Sequence, residues 1–367
     1  MYYINYFYNI YYNNIKRIIP NTIDMKIEED IKLDYGDVLI RPKRTTLSSR
    51  SEVNLERTIK FPISNQTWTG IPIIAANMDT IGTYNVYKVL SKYKIITAFH
   101  KFYDIDDYKQ MSEKGLNSDY FMVSTGISDN DYNKLKEIIE SIDIKFICID
   151  VANGYMEKLV AFCKKVRDNF PDKIIIAGNV VTREITEELI LQGKVDIVKV
   201  GIGPGSACLT RTQTGVGMPQ LSAINECADA AHGVNGYIIG DGGITCPGDV
   251  SKGLGAGADF IMIGGRFSGH DENPGDIIEE NGNKYKLFYG MSSDTAMTKH
   301  FGKMANYRSS EGRTVKIKYK GSLENTVNDY LGGVRSTCTY INAKEIKNIP
   351  KCCTFVRVNR QLNTIYA

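Results

Sequence analysis

The sequence predicts an α/β fold, a (β/α)8 barrel with an N-terminal extension and a long insertion after the eighth strand. Three observations carry that expectation. Eight short runs are apolar and rich in Ile and Val, helix-like stretches separate them, and each run ends on polar or Gly residues. Strands that are apolar throughout are covered on both faces, the habit of parallel sheets. A barrel of this kind needs roughly 250 residues, so the 367 present leave room for one barrel and extra loops.

The runs are IPIIAAN (71–77), KIITAFH (94–100), YFMVST (120–125), IKFICID (144–150), KIIIAGN (173–179), VDIVKVG (195–201), GYIIGD (236–241) and DFIMIGG (259–265). Between them, Asp129 begins a helix with Leu135, Ile138 and Ile139 at helical spacing. Asn153 precedes another, with Met156, Leu159, Val160 and Cys163 on one face. Pro219 and Pro247 each open a helix, where a missing N–H costs nothing. Residues 1–24 are different text, with six tyrosines and five asparagines. They lack the apolar core of a secretory signal and the length of a membrane span, and are expected to be a disordered or mis-annotated leader. Residues 25–367 then form a single catalytic domain. Residues 25–70 precede the barrel, and 266–322 are too long for an ordinary connection, which makes them an expected lid over the active site.

Composition narrows the function. The chain is 43% hydrophobic and 24% charged, with a net charge of +3 and no basic run dense enough for a nucleic-acid backbone. Eight cysteines are present without a C-x-x-C pair. That gives no support to a zinc or thioredoxin-like site and suits a reducing compartment, the cytosol.

Active sites on such barrels lie at the carboxyl ends of the strands. The most informative stretch follows the sixth run, Gly201 to Gly217, GIGPGSACLTRTQTGVG. Its glycines expose backbone suited to ringing a cation or an oxyanion, and Cys208 sits on this polar loop as a candidate nucleophile. A loop cysteine with no role fits the residues equally well. Gly201, Gly203 and Gly205 give G-x-G-x-G, but after the sixth strand and without a helix opening, so a dinucleotide fold is rejected. Asp241-Gly242-Gly243 and Gly264-Gly265 follow the seventh and eighth runs, where barrels hold phosphate. Glycines that only permit tight turns are the alternative, and their coincidence on both rim loops favours phosphate. By itself, Glu311 reads as a surface glutamate. His100 and Lys101 have rim context that His232, His270 and His300 lack, and Lys101 reads as a partner for a cofactor phosphate or as a solvated lysine.

GIGPGSACLTRTQTGVGMPQLSA, IGDGGITCPGDVSKGLGAGADFIMIGG, PIIAANMDTIGT, FYGMSSDTAM and ENTVNDYLGGVRSTCTY together resemble the IMP dehydrogenase/GMP reductase family, and its reductase branch in particular. The resemblance covers residues 25–367 and implies a TIM-barrel oxidoreductase of purine interconversion and salvage, turning GMP into IMP and ammonia with NADPH. It gives Cys208 as the nucleophile forming a thioimidate, with Thr210 and Glu311 doing the proton work. Asp241, Gly242, Gly243, Gly264, Gly265, Gly290, Met291, Ser292, Arg308, Ser309, Ser310 and Gly312 would bind the nucleotide. Lys101, Asp150, Val151, Ala152, Tyr307, Arg308, Ser336, Thr337, Cys338 and Thr339 would bind the cofactor, with Ser49 and Arg50 reaching it from a neighbouring subunit of a homotetramer. A monovalent cation, K⁺, would sit on carbonyls of Gly203, Gly205 and Cys208, near Arg211. Leu209, Arg266 and Phe267 depart from the family pattern, and Arg266 either strengthens anion binding or points to solvent. IMP dehydrogenases usually carry an inserted regulatory module, and no domain-sized block interrupts the early runs here. A regulatory nucleotide-binding barrel and a flavin-dependent oxidase are the other classes. Intact Cys208, Thr210 and Glu311 oppose the first, and a colourless protein would exclude the second.

Overall fold

The computed structural model describes residues 26–302 and 309–359, so the leader, Tyr307 and Arg308 lie outside the described residues. The chain divides into residues 1–31 and 32–367. Of the first unit, 26–31 are described and form no helix or strand.

In the second unit all eight apolar runs become barrel strands. They are β4 (Ile73–Ala75), β5 (Ile96–Ala98), β6 (Phe121–Thr125), β7 (Phe146–Asp150), β8 (Ile174–Val180), β9 (Ile197–Val200), β10 (Tyr237–Asp241) and β11 (Phe260–Ile263). They pair in parallel and β11 returns to β4, closing the cylinder. Alternation decides which side chains go inside. Ile74, Ile96, Met122, Phe146, Ile174, Ile176, Ile197, Ile239 and Phe260 fill the interior, while Ile73, Val123, Ile147, Ile175, Val198 and Ile261 belong to the cluster facing the helices. Before the barrel, β1 (Val38–Ile40) pairs with β15 (Phe355–Arg357). The hairpin of β2 (Arg57–Phe61) and β3 (Gln66–Gly70) plugs the amino-terminal mouth with Phe61 and Trp68, which pack on Tyr237 and Phe260.

The helices between the strands are α1 (Tyr84–Leu90), α2 (Ile105–Glu113), α3 (Asp129–Ser141), α4 (Glu157–Asn169), α5 (Arg183–Leu191), α6 (Thr210–Thr214), α7 (Gln220–Gly233) and α8 (Pro247–Gly255). Helix α3 starts where the sequence places it, because the Ser128 hydroxyl accepts from the Asp131 N–H and the Asp131 carboxylate answers it. Helix α4 begins at Glu157, later than Asn153 suggests. Gly154 N–H donates to the Asn179 carbonyl at 3.0 Å, and the Asn153 side chain takes the Tyr155 N–H, so these residues are spent on the rim.

The stretch 266–322 is not an irregular loop. It holds an antiparallel sheet of β12 (Ile278–Glu280), β13 (Asn283–Tyr289) and β14 (Thr314–Lys318), with α9 (Asp294–Phe301) between the last two. Helix α10 (Leu323–Ile341) then packs between α8 and α1, completing the helical ring, and α11 (Ile349–Cys352) follows. No described helix is long and apolar enough to cross a membrane.

Candidate active site

The site forms where the loop after β9 meets the end of the 266–322 insertion. Ser206 to Cys208 run alongside Gly312 and Arg313. Cys208 and Gly312 form an antiparallel bridge, Leu209 N–H donates to the Glu311 carbonyl at 2.7 Å, and Arg313 N–H to the Ala207 carbonyl at 3.0 Å. Arg313 also grips the Ser206 carbonyl through two guanidinium nitrogens. Gly290 crosses the same point. A Cβ on Gly312 would meet Ser293 N at 2.8 Å, and one on Gly290 would meet the Ala207 carbonyl at 2.9 Å. Three backbones converge there because two of the residues are glycine.

This zipper sets the chemistry. Cys208 Sγ lies 3.2 Å from Thr210 Oγ1, whose hydroxyl donates to Glu311 Oε2 at 2.8 Å. Thiol, hydroxyl and carboxylate form one chain of proton donors ending on an acceptor. All three side chains are half-buried, as a group that must meet a ligand requires.

Asp241, at the end of β10, accepts from Asn179 Nδ2 at 2.8 Å and from Lys199 Nζ at 3.0 Å. Lys199 also pairs with Asp150 at 2.6 Å. Burial opposes charge on both partners. The two carboxylates nonetheless lift the Lys199 ammonium above its ordinary range, and Lys199 holds the Asp150 carboxyl below its own. Gly242 and Gly243 take left-handed backbone beside Pro204 of the cysteine loop, and Gly265 faces the Ser206 hydroxyl, which a Cβ would meet at 2.5 Å. Ser309 and Ser310 bond to Gln213 and to the Gly312 carbonyl, and Ser310 also contacts the Ser292 carbonyl.

The structure thus brings Cys208, Thr210, Glu311, Asp241, Gly242, Gly243, Gly264, Gly265, Gly290, Met291, Ser292, Ser309, Ser310 and Gly312 to one mouth. The residues assigned to the cofactor divide. Lys101 follows β5, and Asp150 ends β7 with Val151 and Ala152 after it. Ser336, Thr337, Cys338 and Thr339 lie on α10, flanking β11 across the barrel from β7. Ser49 and Arg50 belong to the α10 side, since the turn at Arg50–Glu52 packs on that helix. Cys338 is buried in the core, and Thr337 bonds to Ser251 of α8. Arg211 threads between Gly203 and Gly217 and pairs with Asp34.

One buried group escapes a reading of the sequence: Lys199 lies inside an apolar run, and a lysine in a strand buried on both faces was the available signal. Asp79, after β4, is readable as a rim residue, but its partners are not. Its buried Oδ2 accepts from Tyr289 at 2.9 Å, Lys299 at 3.1 Å and His300 at 2.7 Å, all from the insertion. Burial raises this carboxyl, but the three donors override it and leave it below its usual value. Asp79 N–H also approaches Met291 Sδ at 3.5 Å. The insertion is latched to the barrel at this point. Asp79→Asn is expected to weaken docking of the insertion by about 2 kcal/mol. Trypsin would then cut faster after Lys284 and Lys299, with little change in the barrel's denaturation midpoint, and unchanged cleavage would refute the latch.

An α/β barrel whose rim carries a thiol chained to a hydroxyl and a carboxylate has the parts of a nucleophile–base site. The IMP dehydrogenase / GMP reductase domain model matches residues 32–362. The chain is 58% identical to GMP reductase 1 of Mus musculus, over 93% of this chain and 99% of that protein. It is 59% identical to the GMP reductase of Buchnera aphidicola subsp. Acyrthosiphon pisum (strain Tuc7), with the same coverage. With the GMP reductase of Caenorhabditis elegans it shares 55%, over 93% and 96% of the two chains. The chain belongs to the IMP dehydrogenase / GMP reductase family.

Proposed function

We propose that this protein is a GMP reductase, releasing the 2-amino group of GMP as ammonia and leaving IMP. The observation that carries the reading is the Cys208–Thr210–Glu311 chain. As Cys208 Sγ bonds to purine C2, its proton passes through Thr210 to Glu311 and then to the departing amine. The C2–N bond breaks, ammonia leaves, and a thioimidate remains on Cys208. Bound NADPH supplies the hydride to C2. The C–S bond then breaks, IMP departs, and the thiolate regains a proton from solvent. Splitting amine displacement from reduction makes two easier steps of one hard one.

Asp241 holds the ribose hydroxyls, and the backbone of Gly242, Gly243, Gly264 and Gly265 holds the phosphate, supported by their position on the rim loops beside Ser206 and Pro204. The insertion, closed by Asp79, serves as the lid over the base through Gly290, Met291 and Ser292, and excludes water from the thioimidate. For NADPH, the cationic Lys101 and the carboxylate of Asp150 with Val151 and Ala152 suit a phosphate and a ribose–amide end. Ser49, Arg50, Ser336, Thr337 and Thr339 lie across the barrel, and that separation supports a site completed by a neighbouring copy in a homotetramer. Among the described residues no group of three His, Cys, Asp or Glu could hold a metal ion. The loop of Gly203, Gly205 and Cys208 offers carbonyls instead, a donor set that suits K⁺.

The deciding experiment assays purified protein both ways, as NADPH oxidation with GMP and as NAD⁺ reduction with IMP. Reduction of GMP well above IMP oxidation is expected. The reverse ranking would make the protein a dehydrogenase.

A further inference from the structure

Lys199 occupies an unusual place. It points into the barrel from β9, only 3% exposed, in the layer above Ile176, Ile197 and Ile239. To meet Asp150 on β7 it must pass inside β8, and Gly178 makes the passage. A Cβ on Gly178 would lie 2.7 Å from the Lys199 Cβ. The ammonium ends between Asp150 Oδ1 and Asp241 Oδ2, at 2.6 and 3.0 Å. The other titratable groups facing the triad are Cys148 from the layer below, Lys101 beside Asp150, and Tyr35 beside Asp241. Burial pushes the Cys148 thiol up to about 12, so it stays neutral and adds no charge. Asn77 also bonds to Asp150, and Asn179 to Asp241.

Two carboxylates share one ammonium, which is itself buried while Asp241 and Asp150 stay partly open to the mouth. Neither carboxylate can move without changing what the ammonium offers the other. On the functional reading above, on which this inference rests, Asp241 faces the substrate ribose and Asp150 the cofactor. We propose that Lys199 is a positioning residue that couples the two sites, fixing the substrate-side and cofactor-side carboxylates through one shared ammonium. It touches neither ligand and acts through Asp150 and Asp241. Substrate bound at Asp241 then sets the geometry that the hydride donor meets at Asp150, so the two ligands bind with linked affinities.

The test uses the full-length protein and has two arms. In the first, ligand-free Lys199→Met is compared with wild type by potentiometric difference titration. Without the ammonium the two carboxylates face each other, and the variant should take up one extra proton between about pH 5 and 8. Lys199→Met/Asp150→Asn has one carboxylate left and should lose that uptake, as should Lys199→Arg, which keeps the charge. In the second arm, calorimetry measures GMP binding with and without NADP⁺. Asp150→Asn, which leaves Lys199 in place, should change GMP affinity on the order of 10-fold and reduce the effect of NADP⁺ on it. Should Lys199→Met fail to fold, the calorimetry of Asp150→Asn still reads the coupling. An absent extra proton, an uptake that survives Asp150→Asn, or a GMP affinity indifferent to Asp150→Asn would overturn the proposal. The first arm needs no nucleotide, so wild-type protein that bound no GMP would overturn only the functional reading.

Discussion

Cys208→Ala should abolish GMP-dependent NADPH oxidation, lowering kcat on the order of 10⁴- to 10⁶-fold while GMP still binds. The size follows from losing a thiol chained to a carboxylate, an arrangement that no other described cysteine has. Burial pushes the thiols of Cys148, Cys227 and Cys338 up to about 12 and Cys353 to about 11, and raises Cys163 as well. Cys246 caps α8, and Cys352 ends α11, where its thiol meets the Asn342 carbonyl. Among the described residues, only at Cys208 does a thiol lead through a hydroxyl to a carboxylate. The measurement pairs steady-state kinetics with intact-protein mass spectrometry after incubation with GMP. Wild type should show a nucleotide adduct mapping to Cys208, and the variant none. Cys208→Ser that kept full turnover would refute covalent catalysis.

How much of this was legible in the sequence depended on the range of the interactions involved. The barrel strands were readable because a strand buried on both faces is apolar at every position, as in Ile174-Ile175-Ile176. Helix starts at Pro247 and Asp129 were readable because their signals are local. The rim positions of Cys208, Asp241 and Gly242 followed from the strands. Glu311 was different. Its meeting with Thr210 depends on β14 returning to zip onto a loop a hundred residues earlier, so only the family resemblance reached it. The insertion's sheet left a trace in the alternation of Thr314–Lys318, where Val315 and Ile317 are the half-buried positions, but Asn283–Tyr289 misleads, with Lys286 buried and Leu287 turned out. Asp79 was readable as a rim position but its partners were not, since Tyr289, Lys299 and His300 approach it from more than two hundred residues away. His300 lacked a visible role in the sequence for the same reason, and in the structure it stacks on Phe102 at the barrel rim.

Glu311→Gln should lower kcat by about 10²- to 10⁴-fold with little change in the KM for GMP. The amide keeps an oxygen that can accept the Thr210 hydroxyl, so the 2.8 Å contact and the flap zipper survive. What is lost is a group that can take a proton from the thiol and return it to the leaving amine. The loss therefore falls on thioimidate formation. Single-turnover mixing should show ammonia release slowed in step with kcat, and adduct accumulation before reduction should disappear. Thr210→Ala breaks the same chain one link earlier, and its defect should be similar in size. The two residues form one relay, so the double variant should be scarcely slower than the worse single one. If the double loss instead equalled the product of the single losses, Thr210 and Glu311 would be acting on separate steps, and a proton path from Cys208 to the amine through both would be wrong.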